Sequence, residues 1–553
     1  MQPGGILDPI DSRLAGPDSR VTAAAVAAQV ARRRTFAIIS HPDAGKTTLT
    51  EKCLLYAGQI AEAGAVRGRK TKRAVTSDWM ALERERGISI SSTALSFEYR
   101  GHVLNLLDTP GHQDFSEDTY RTLAAADSAV MVLDSANGVE GQTRKLFRVC
   151  AARKIPILTF INKMDRLGKT PLDLLAEIQA DLGIEPVPMN WPIGLGEQFT
   201  GIYDRASSRT LLFAPTDRGS LQVPTRMVAL ADLDAEIGPE LAHRCQEDVE
   251  LIDIAGGAFD HGRFLSGEQT PVFFGSAATN YGIEPFLDTF VGLAPPPGPR
   301  TGLAGPVPPD RPQFAGQVFK IQANLNPKHR DRVAFVRVCA GVFTPDMEPV
   351  VARTGERLRM KGSHRLFAQD REAIHQAYAG DVIGLTFTKG VRLGDTLYDG
   401  PQVEFTGLPQ FSPECFATIR CTDNARRKQL TQGLQQLADE GAIQMFTDPD
   451  EPLEAILAAV GELQFEVVKF RLESEYGVDA EIAPLSHRAG GWVGGGRAAL
   501  ADYKPLYSTR LVFDHRGRPV ILAQDAFTIR YLKGKEPGLQ LRPFSDDLFA
   551  PAG

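Results

Sequence analysis

A polar segment that follows a short apolar run has the residue types needed to hold phosphate groups. It reads SHPDAGKTT from Ser40 to Thr48, and a helical pattern begins within it. This matches the loop pattern G-x-x-x-x-G-K-[ST], in which backbone N–H groups and a helix N-terminus surround phosphate oxygens, with Ser at the first position. A strand–turn–helix without function could also produce so degenerate a match. The predicted contact residues are Ser40, His41, Pro42, Asp43, Ala44, Gly45, Lys46 and Thr47.

Two of these side chains have specific predicted roles, and a second motif adds to them. We expect Lys46 to reach the β and γ phosphates and Thr47 to ligate Mg²⁺. In the second motif, Asp108 could hold Mg²⁺ through water, and Gly111 could offer its N–H to the γ-phosphate because no Cβ blocks the approach. The same residue types would also suit a plain turn. This motif comprises Asp108, Thr109, Pro110, Gly111 and His112.

A third motif has the chemistry to recognise guanine. In the segment Asn162-Lys163-Met164-Asp165, Asp165 can accept hydrogen bonds from N1–H and the exocyclic amine, and Asn162 can bind N7 and the rim of the phosphate loop. Adenine lacks that pair of donors, so the carboxylate selects guanine. Ser276 and Ala277 would complete the base site, with the Ala277 N–H directed at O6. Each motif alone could be a polar loop, but four in this order at strand ends predict GTP binding.

The residues before the second motif add a possible mobile loop. Ser89, within Arg86-Gly-Ile-Ser-Ile90, offers a hydroxyl that could close on Mg²⁺ and the γ-phosphate. Upstream, residues 67–73 contain five basic side chains. Such a run could be a solvated loop or could contact RNA phosphates, and the sequence leaves both alternatives open.

The elements that must position these motifs alternate between strand and helix. Repeated β-α-β units predict a mostly parallel sheet with ligands at the carboxyl ends of its strands. A proline-rich segment at 294–312 predicts a stiff linker, and short strands after it predict a β-barrel. We therefore expect an α/β P-loop GTPase domain with an inserted subdomain, then a β-barrel domain and a small α+β domain. The predicted boundaries are 1–33 for an N-terminal extension, 34–295 for the first domain with its insertion at about 171–269, 313–402 for the barrel and 403–553 for the last domain.

Length and composition exclude several classes of protein. With 553 residues, 43% hydrophobic and 23% charged, the chain is neither mainly disordered nor fibrous. Its net charge of −7 means that any nucleic-acid contact must come from local basic patches. Six scattered cysteines without a C-x-x-C pair argue against a disulfide framework and suit a reducing cytosol. No run of eighteen apolar residues occurs, so no transmembrane helix is expected. We expect a cytoplasmic protein with neither a membrane nor a DNA partner.

The motifs together resemble the class II release factors, a family of translational GTPases. The resemblance extends from about Arg34 to Val478. It is strongest in AIISHPDAGKTT (37–48), SDWM (77–80) with RGISI (86–90), DTPGHQDFSEDTYRTL (108–123), FKIQAN (319–324), PKHRDRVAF (327–335) and GELQF (461–465). Departures are Gln113 where Glu is more usual, a long N-terminal extension, and a glycine-rich tail after Ala483 that leaves the end of the last domain open.

The resemblance implies specific roles for several residues. By position, His112 would orient the attacking water when ribosomal RNA engages the site, and Ile88 and Pro42 would form an apolar gate. Ser89 stands where elongation factors carry Thr, and Asp43 would lie near the scissile bond. The catalytic set is therefore His112, Lys46 and Asp43, and the metal set is Thr47, Ser89 and Asp108.

The implied activity is ribosome-stimulated hydrolysis of GTP to GDP that drives class I release factors off the ribosome after peptide release. The implied cofactors are GTP/GDP and Mg²⁺, and the implied partners are the ribosome with its RNA and a class I release factor. A translocase like elongation factor G would need two further domains for which this length leaves no room. A peptide-release catalyst would need a Gly-Gly-Gln tripeptide, which the sequence lacks. A non-ribosomal P-loop enzyme is less consistent with the barrel and the length after it.

Overall fold

The computed structural model describes most of the chain. It covers residues 22–60, 92–110, 116–214, 219–323, 332–360, 362–367, 370–387, 390–408, 412–451, 454–495, 498–500, 503–506, 508–514 and 517–544.

The helices are numbered in chain order. They are α1 Ala23–Ala31, α2 Lys46–Tyr56, α3 Ser116–Ala125, α4 Gly141–Ala152, α5 Pro171–Leu182, α6 Asp234–Ile237, α7 Pro239–Ala255, α8 His261–Ser266, α9 Ile283–Leu293, α10 Arg427–Asp439, α11 Leu463–Tyr476 and α12 Ala526–Lys535.

The strands are numbered in the same way. They are β1 Arg33–Ser40, β2 Thr93–Tyr99, β3 His102–Asp108, β4 Ser128–Asp134, β5 Ile157–Asn162, β6 Glu185–Pro188, β7 Asn190–Ile193, β8 Gly201–Asp204, β9 Arg209–Phe213, β10 Thr225–Val228, β11 Gln269–Phe274, β12 Arg300–Gly302, β13 Gly305–Val307, β14 Ala315–Ala323, β15 Arg332–Ala340, β16 Val342–Phe343, β17 Val350–Val351, β18 Gly362–Phe367, β19 Asp370–Ala373, β20 Ala377–Tyr378, β21 Val382–Phe387, β22 Thr396–Tyr398, β23 Cys415–Cys421, β24 Gln444–Thr447, β25 Ala455–Ala459, β26 Ala480–Pro484, β27 Ala489–Val493, β28 Thr509–Asp514, β29 Pro519–Ala523 and β30 Leu541–Pro543.

The first sheet has the order β2-β3-β1-β4-β5-β11-β6. The pairs from β3 to β6 along this order are parallel, and β2 joins β3 as an antiparallel hairpin. Parallel strands bring their carboxyl ends to one edge, so the residues after β1, β3, β5 and β11 meet there. This confirms the predicted parallel sheet with polar motifs at its carboxyl edge.

Both faces of this sheet are covered, as parallel sheets require. Alternate residues of β1 enter different cores. Ile39 lies in a core with Leu123 of α3 and Leu146 of α4, whereas Ile38 packs with Leu49 of α2 and Phe286 of α9. Because helices cover both faces, β1 is buried along its whole length.

Residues 189–268 lie between β6 and β11 and hold their own small sheet. Its order is β10-β9-β8-β7, all antiparallel, and helices α6 to α8 follow it. Trp191 of β7 packs against Phe274 of β11, with ring centroids 5.5 Å apart. The predicted insertion at about 171–269 contains these elements, together with α5 and with β6, which pairs with β11 in the main sheet.

The second sheet is antiparallel, in the order β17-β22-β14-β15-β21-β18, with β19 paired to β18. It is continuous with the first sheet through one pairing of β18 with β2, at Phe367 and Leu95. Its core includes Phe314, Val336, Phe343 and Leu385. Val403 and Phe405, which follow β22, pack with Val307 and Ala315. The chain therefore packs with the second sheet as far as Phe405 at least.

The C-terminal part forms an α+β unit around a third sheet. Its order is β26-β23-β25-β24-β28-β29-β27-β30, and α10 and α11 pack on its first half. The glycine-rich tail continues this sheet. Gly490 and Gly491 lie in β27, where a Cβ on Gly490 would overlap the ring of Phe544. Within the portion of the chain that the structure describes, no helix is long and apolar enough to cross a membrane.

Buried polar contacts join the first two sheets. The Thr35 hydroxyl of β1 donates to the Gly380 carbonyl at 2.6 Å, and the Arg33 guanidinium pairs with Asp381 at 2.9 Å. Arg337 of β15 donates to Thr35, to the Gly380 carbonyl and to Asp127. Burial lowers the pKa of Arg337, and the Asp127 carboxylate opposes that effect.

Candidate nucleotide-binding site

The phosphate loop connects β1 to α2 with a backbone that few residue types tolerate. Gly45, the residue before α2, has φ +98°, and Asp43 has φ +65°. A Cβ on Gly45 would overlap Nδ2 of Asn162, so glycine is required for both conformation and space. The loop places the N–H groups at the start of α2 at the carboxyl edge of the sheet, where an anion would be stabilised.

Lys46 joins the phosphate loop to the second motif. Its ammonium donates to the carbonyl of Thr109, and the Thr109 hydroxyl donates to the Ile38 carbonyl at 2.7 Å. Burial lowers the pKa of Lys46, and the nearby Asp108 carboxylate opposes that effect. The cation therefore lies beside Asp108 at the end of β3. Thr47 is exposed in the first turn of α2, and Pro110 follows Thr109 as predicted.

Asn162 holds the phosphate loop and the base loop together. Its amide Nδ2 donates to the Ala44 carbonyl at 2.8 Å, and its Oδ1 accepts from the Ala277 N–H, also at 2.8 Å. Ser276 is fixed next to it, because its N–H donates to the Tyr281 carbonyl at 2.9 Å. One side chain therefore brings three sequence motifs into contact.

Asp165 is available to a ligand. Its Oδ1 is buried and has no hydrogen-bond partner within the described part of the chain. By contrast, Lys163 pairs with Asp134 at 2.6 Å, and the Met164 N–H donates to the Gly275 carbonyl at 3.2 Å. Lys163 and Met164 thus fix the loop, and Asp165 offers an acceptor where guanine would supply donors.

His41, a predicted contact residue, lies on the surface of the phosphate loop. Its Nε2 is 3.3 Å from Oε1 of Glu140, before α4. The Ser40 hydroxyl donates to the His41 carbonyl at 2.9 Å, which fixes the start of the loop. Glu140 was not among the predicted site residues.

A buried polar cluster connects the site to the second sheet. Asp118 of α3 accepts from the Ser92 N–H at 2.6 Å and from its hydroxyl at 2.7 Å. Lys320 of β14 donates to the Ser92 carbonyl at 2.6 Å and lies 3.3 Å from Asp118. Burial acts to raise the pKa of Asp118, but Lys320, Arg121 and the Ser92 hydrogen bonds outweigh it, so the pKa lies below its usual range.

The same helix contacts the C-terminal part of the chain. Arg121 donates to the Gly441 carbonyl at 2.6 Å and to the Glu440 carbonyl at 3.3 Å, just after α10. Glu117, one turn earlier, pairs with Arg121 at 3.2 Å, and both side chains are buried. No role was assigned from the sequence to Asp118, Arg121 or Lys320, because their partners are distant in the sequence.

Several predicted residues lie outside the described part of the chain. They are Ser89, Gly111 and His112, with the gate residue Ile88 and the basic run at 67–73. The structure brings together the remaining predicted residues from Ser40 to Thr47, from Asp108 to Pro110, from Asn162 to Asp165, and Ser276 with Ala277.

Comparison with known proteins identifies the class of this fold and site. Residues 31–296 match the family model of the elongation factor Tu GTP-binding domain, and residues 313–400 match elongation factor G domain 2. Residues 405–533 match the C-terminal domain of class II release factor RF3. The fold and site therefore define a translational GTPase that binds guanine nucleotides.

Curated relatives extend along nearly the whole chain. Peptide chain release factor 3 of Microcystis aeruginosa is 52% identical over 513 residues, covering 92% of this chain and 94% of that protein. Peptide chain release factor 3 of Trichodesmium erythraeum is 51% identical, covering 93% and 95%. The chain belongs to the peptide chain release factor 3 family, so it is a GTPase of translation termination.

A solved structure supports the fold alone. A crystal structure of a protein from Thermus thermophilus has a TM-score of 0.65 and 22% sequence identity, covering 88% of this chain and 72% of that one. The predicted fold class, a P-loop GTPase domain followed by a barrel and an α+β domain, is confirmed by this match and the family models.

Proposed function

We propose that the ribosome stimulates GTP hydrolysis by this chain, and that the chain uses this cycle to dissociate and recycle class I release factors after peptide release. The observation that carries the proposal is the Asn162 bridge, which joins phosphate loop and base loop in a chain matched along its length by release factors. Ribosomal RNA and a class I release factor are the proposed partners.

Nucleotide recognition is assigned to the predicted site residues. The phosphate loop from Ser40 to Thr47 would hold the phosphates through its N–H groups, and Lys46 would move from the Thr109 carbonyl to a phosphate oxygen. Asp165 would accept from guanine N1–H and N2–H₂, which its unpartnered Oδ1 permits. Ala277 would share its N–H with O6.

Mg²⁺ fits the donor set at the start of α2. Thr47 offers an exposed hydroxyl, Asp108 a carboxylate at the end of β3, and Ser89 is the proposed third ligand. Oxygen donors of this type suit Mg²⁺. When bound, the ion would neutralise charge on the phosphates. Lys46 would add a second positive charge, and Asp43 would lie near the scissile bond.

His112 is proposed to orient the water that attacks the γ-phosphate. It follows Gly111, which is proposed to mark that phosphate, and it would need ribosomal RNA to hold its ring in place. We expect His112→Ala to bind GTP and ribosomes normally. Its ribosome-stimulated hydrolysis should fall by at least ~10²-fold, the low end for a positioned catalytic side chain. Single-turnover hydrolysis on saturating ribosomes measures this.

One result would contradict that role, and another would show that the variant does not report on it. A wild-type rate would remove His112 from the mechanism, and equal losses of binding and hydrolysis would indicate misfolding instead. The matched control is His243→Ala, because His243 is an exposed histidine of α7 away from the phosphate loop.

The recycling step is tested separately. Terminated ribosomes carrying a labelled class I release factor are mixed with the chain and GTP, and loss of the label is followed in time. We expect the label to leave faster in the presence of the chain and GTP than in the absence of the chain. If hydrolysis is stimulated by ribosomes but the label leaves at the uncatalysed rate, the chain is a ribosomal GTPase with another task.

A further inference from the structure

Helix α12 exposes two aromatic rings one helical turn apart. Phe527 is 70% exposed and Tyr531 is 50% exposed. Among the described phenylalanine, tyrosine and tryptophan residues, these two are the exposed ones, and both lie on the same helix. Side chains four positions apart on a helix are neighbours, so the two rings form one surface.

The opposite side of α12 explains why the rings point outward. Ile529 and Leu532 are buried in a core with Val493, Ile521 and Leu541 of the third sheet. At 100° per residue, Phe527 and Tyr531 lie on the side of the helix away from that core. The helix is already anchored without the rings, so their exposure is not needed for its packing.

Positive charge flanks the rings. Arg530 and Lys535 are exposed on the same side, and the Lys535 ammonium lies 5.7 Å from the centroid of the Tyr531 ring. From Ala526 to Lys535 the helix contains three basic residues and no acidic one, in a chain whose net charge is −7. We call Phe527, Arg530, Tyr531 and Lys535 the α12 face.

We propose that the α12 face is an RNA-docking surface, which binds backbone phosphates through Arg530 and Lys535 and stacks unpaired bases on Phe527 and Tyr531. Aromatic rings interleaved with cations are the pattern by which proteins hold single-stranded RNA. An acidic protein surface would satisfy the charges but would leave the rings without stacking partners. The inference rests on the proposed function, because the ribosome supplies the RNA.

The test measures binding of the full-length chain to purified ribosomes at several KCl concentrations. Phe527→Ala with Tyr531→Ala should weaken binding by at least ~30-fold without changing its salt dependence. Arg530→Gln with Lys535→Gln should lower the slope of log K against log salt by roughly one for each charge removed. The matched controls are Leu303→Ala and Arg244→Gln, which lie on other exposed surfaces and should bind like the wild type.

Short-wavelength ultraviolet crosslinking on the ribosome identifies the partner. We expect a nucleotide adduct on the peptide from Ala526 to Lys535. Wild-type affinity in both double variants, or an adduct to a ribosomal protein instead of RNA, would overturn the proposal. GDP affinity and thermal unfolding report whether the variants are folded. If release-factor dissociation fails in the wild type while these binding differences persist, the proposed function fails and the α12 face stands.

Discussion

Asp165 keeps one buried carboxylate oxygen without a hydrogen-bond partner among the described residues. A buried acceptor left in this way costs free energy until a ligand supplies donors. The neighbouring Lys163 and Met164 are satisfied within the protein. We therefore propose that base selection depends mainly on Asp165.

Replacing that side chain should exchange the preferred base. In Asp165→Asn one acceptor becomes a donor, which removes the match to guanine N1–H and N2–H₂ and favours O2 of xanthine. We expect GTP affinity to fall by roughly 10²-fold, the value of hydrogen bonds to a charged group, and XTP affinity to rise. Calorimetric titration with both nucleotides measures this.

Asp181→Asn is the control for that substitution, since Asp181 pairs with Arg144 on the outer surface of α5. It should leave both affinities unchanged. Unchanged GTP affinity in Asp165→Asn would remove the base-site assignment.

Local motifs were predictable because their spacing and the strand ends beside them are visible in the sequence. Asn162 and Ala277 were placed in one base site on that ground, and the structure joins them. The direct contact between Asn162 and Ala44 also follows the predicted rim contact. The partners of Asp118 were not predictable, because Lys320 lies 202 residues away and no local pattern links them.

At the scale of elements, α3 is the helix that contacts all three parts of the chain. Asp118 reaches Ser92 and Lys320, and Arg121 reaches the carbonyls after α10. Ser92 lies three residues after Ser89, the proposed metal ligand, so α3 contacts the chain close to that position in the sequence. We therefore expect a change at the γ-phosphate to be transmitted through α3 to the second and third sheets.

Breaking this cluster should therefore cost stability and activity together. Lys320→Met leaves the Asp118 charge in a buried site, which costs about 3 kcal/mol in the free energy of unfolding. We also expect lower ribosome-stimulated hydrolysis with unchanged GDP affinity, because Ser92 loses its support while the phosphate loop does not. Thermal unfolding and single-turnover hydrolysis measure the two effects.

The surface pair between Arg420 and Glu454 is the control, and Arg420→Met should change stability by no more than about 1 kcal/mol. The effect also has a pH signature. Since the pKa of Asp118 is lowered in the folded state, its contribution is complete above the ordinary aspartate pKa, about 3.9, and is lost as pH falls through the lower folded value. A cost of Lys320→Met that stays constant down to acid far below that range would contradict the ion-pair assignment.

The glycine-rich tail contains a strand that the local sequence does not predict. Glycine clusters favour loops, yet Gly490 and Gly491 lie in β27. The reason is the ring of Phe544, which occupies the space that a side chain on Gly490 would need. That packing depends on a residue more than fifty positions away, so the local sequence does not reveal it.

At the scale of the whole molecule, the first two sheets are joined by buried hydrogen bonds and the third is attached through fewer described contacts. Thr35, Arg33 and Arg337 fix the first sheet to the turn at Gly380. The third sheet has its own cores, and Val460, just after β25, packs against the core of the first sheet. Nucleotide binding and the action on ribosomes should therefore be separable by truncation.

A chain ending at Gly407 should bind GDP like the full chain but fail to recycle release factors. The nucleotide motifs end by Ala277, and this end point retains Phe405, which an end near Pro401 would remove from its core. Loss of Gly441 removes one contact of Arg121, so a modest loss of stability is expected. Calorimetric GDP titration and the release-factor dissociation assay measure the two properties. Full recycling activity in the shortened chain would show that the division of labour is wrong.

The close approach of Gly45 to Asn162 has a consequence for the evolution of the site. Any larger residue at position 45 displaces the Asn162 amide. The amide then loses its hydrogen bonds to the Ala44 carbonyl and the Ala277 N–H. Replacing Asn162 first would lose the same two hydrogen bonds but create room. Gly45→Ala should thus cost less GDP affinity in an Asn162→Ala background than in the wild type, and a double-mutant cycle on GDP binding should be non-additive. If the effects of the two substitutions on GDP binding simply add, the two positions are free to vary independently. If they do not add, each position limits the substitutions that the other can accept.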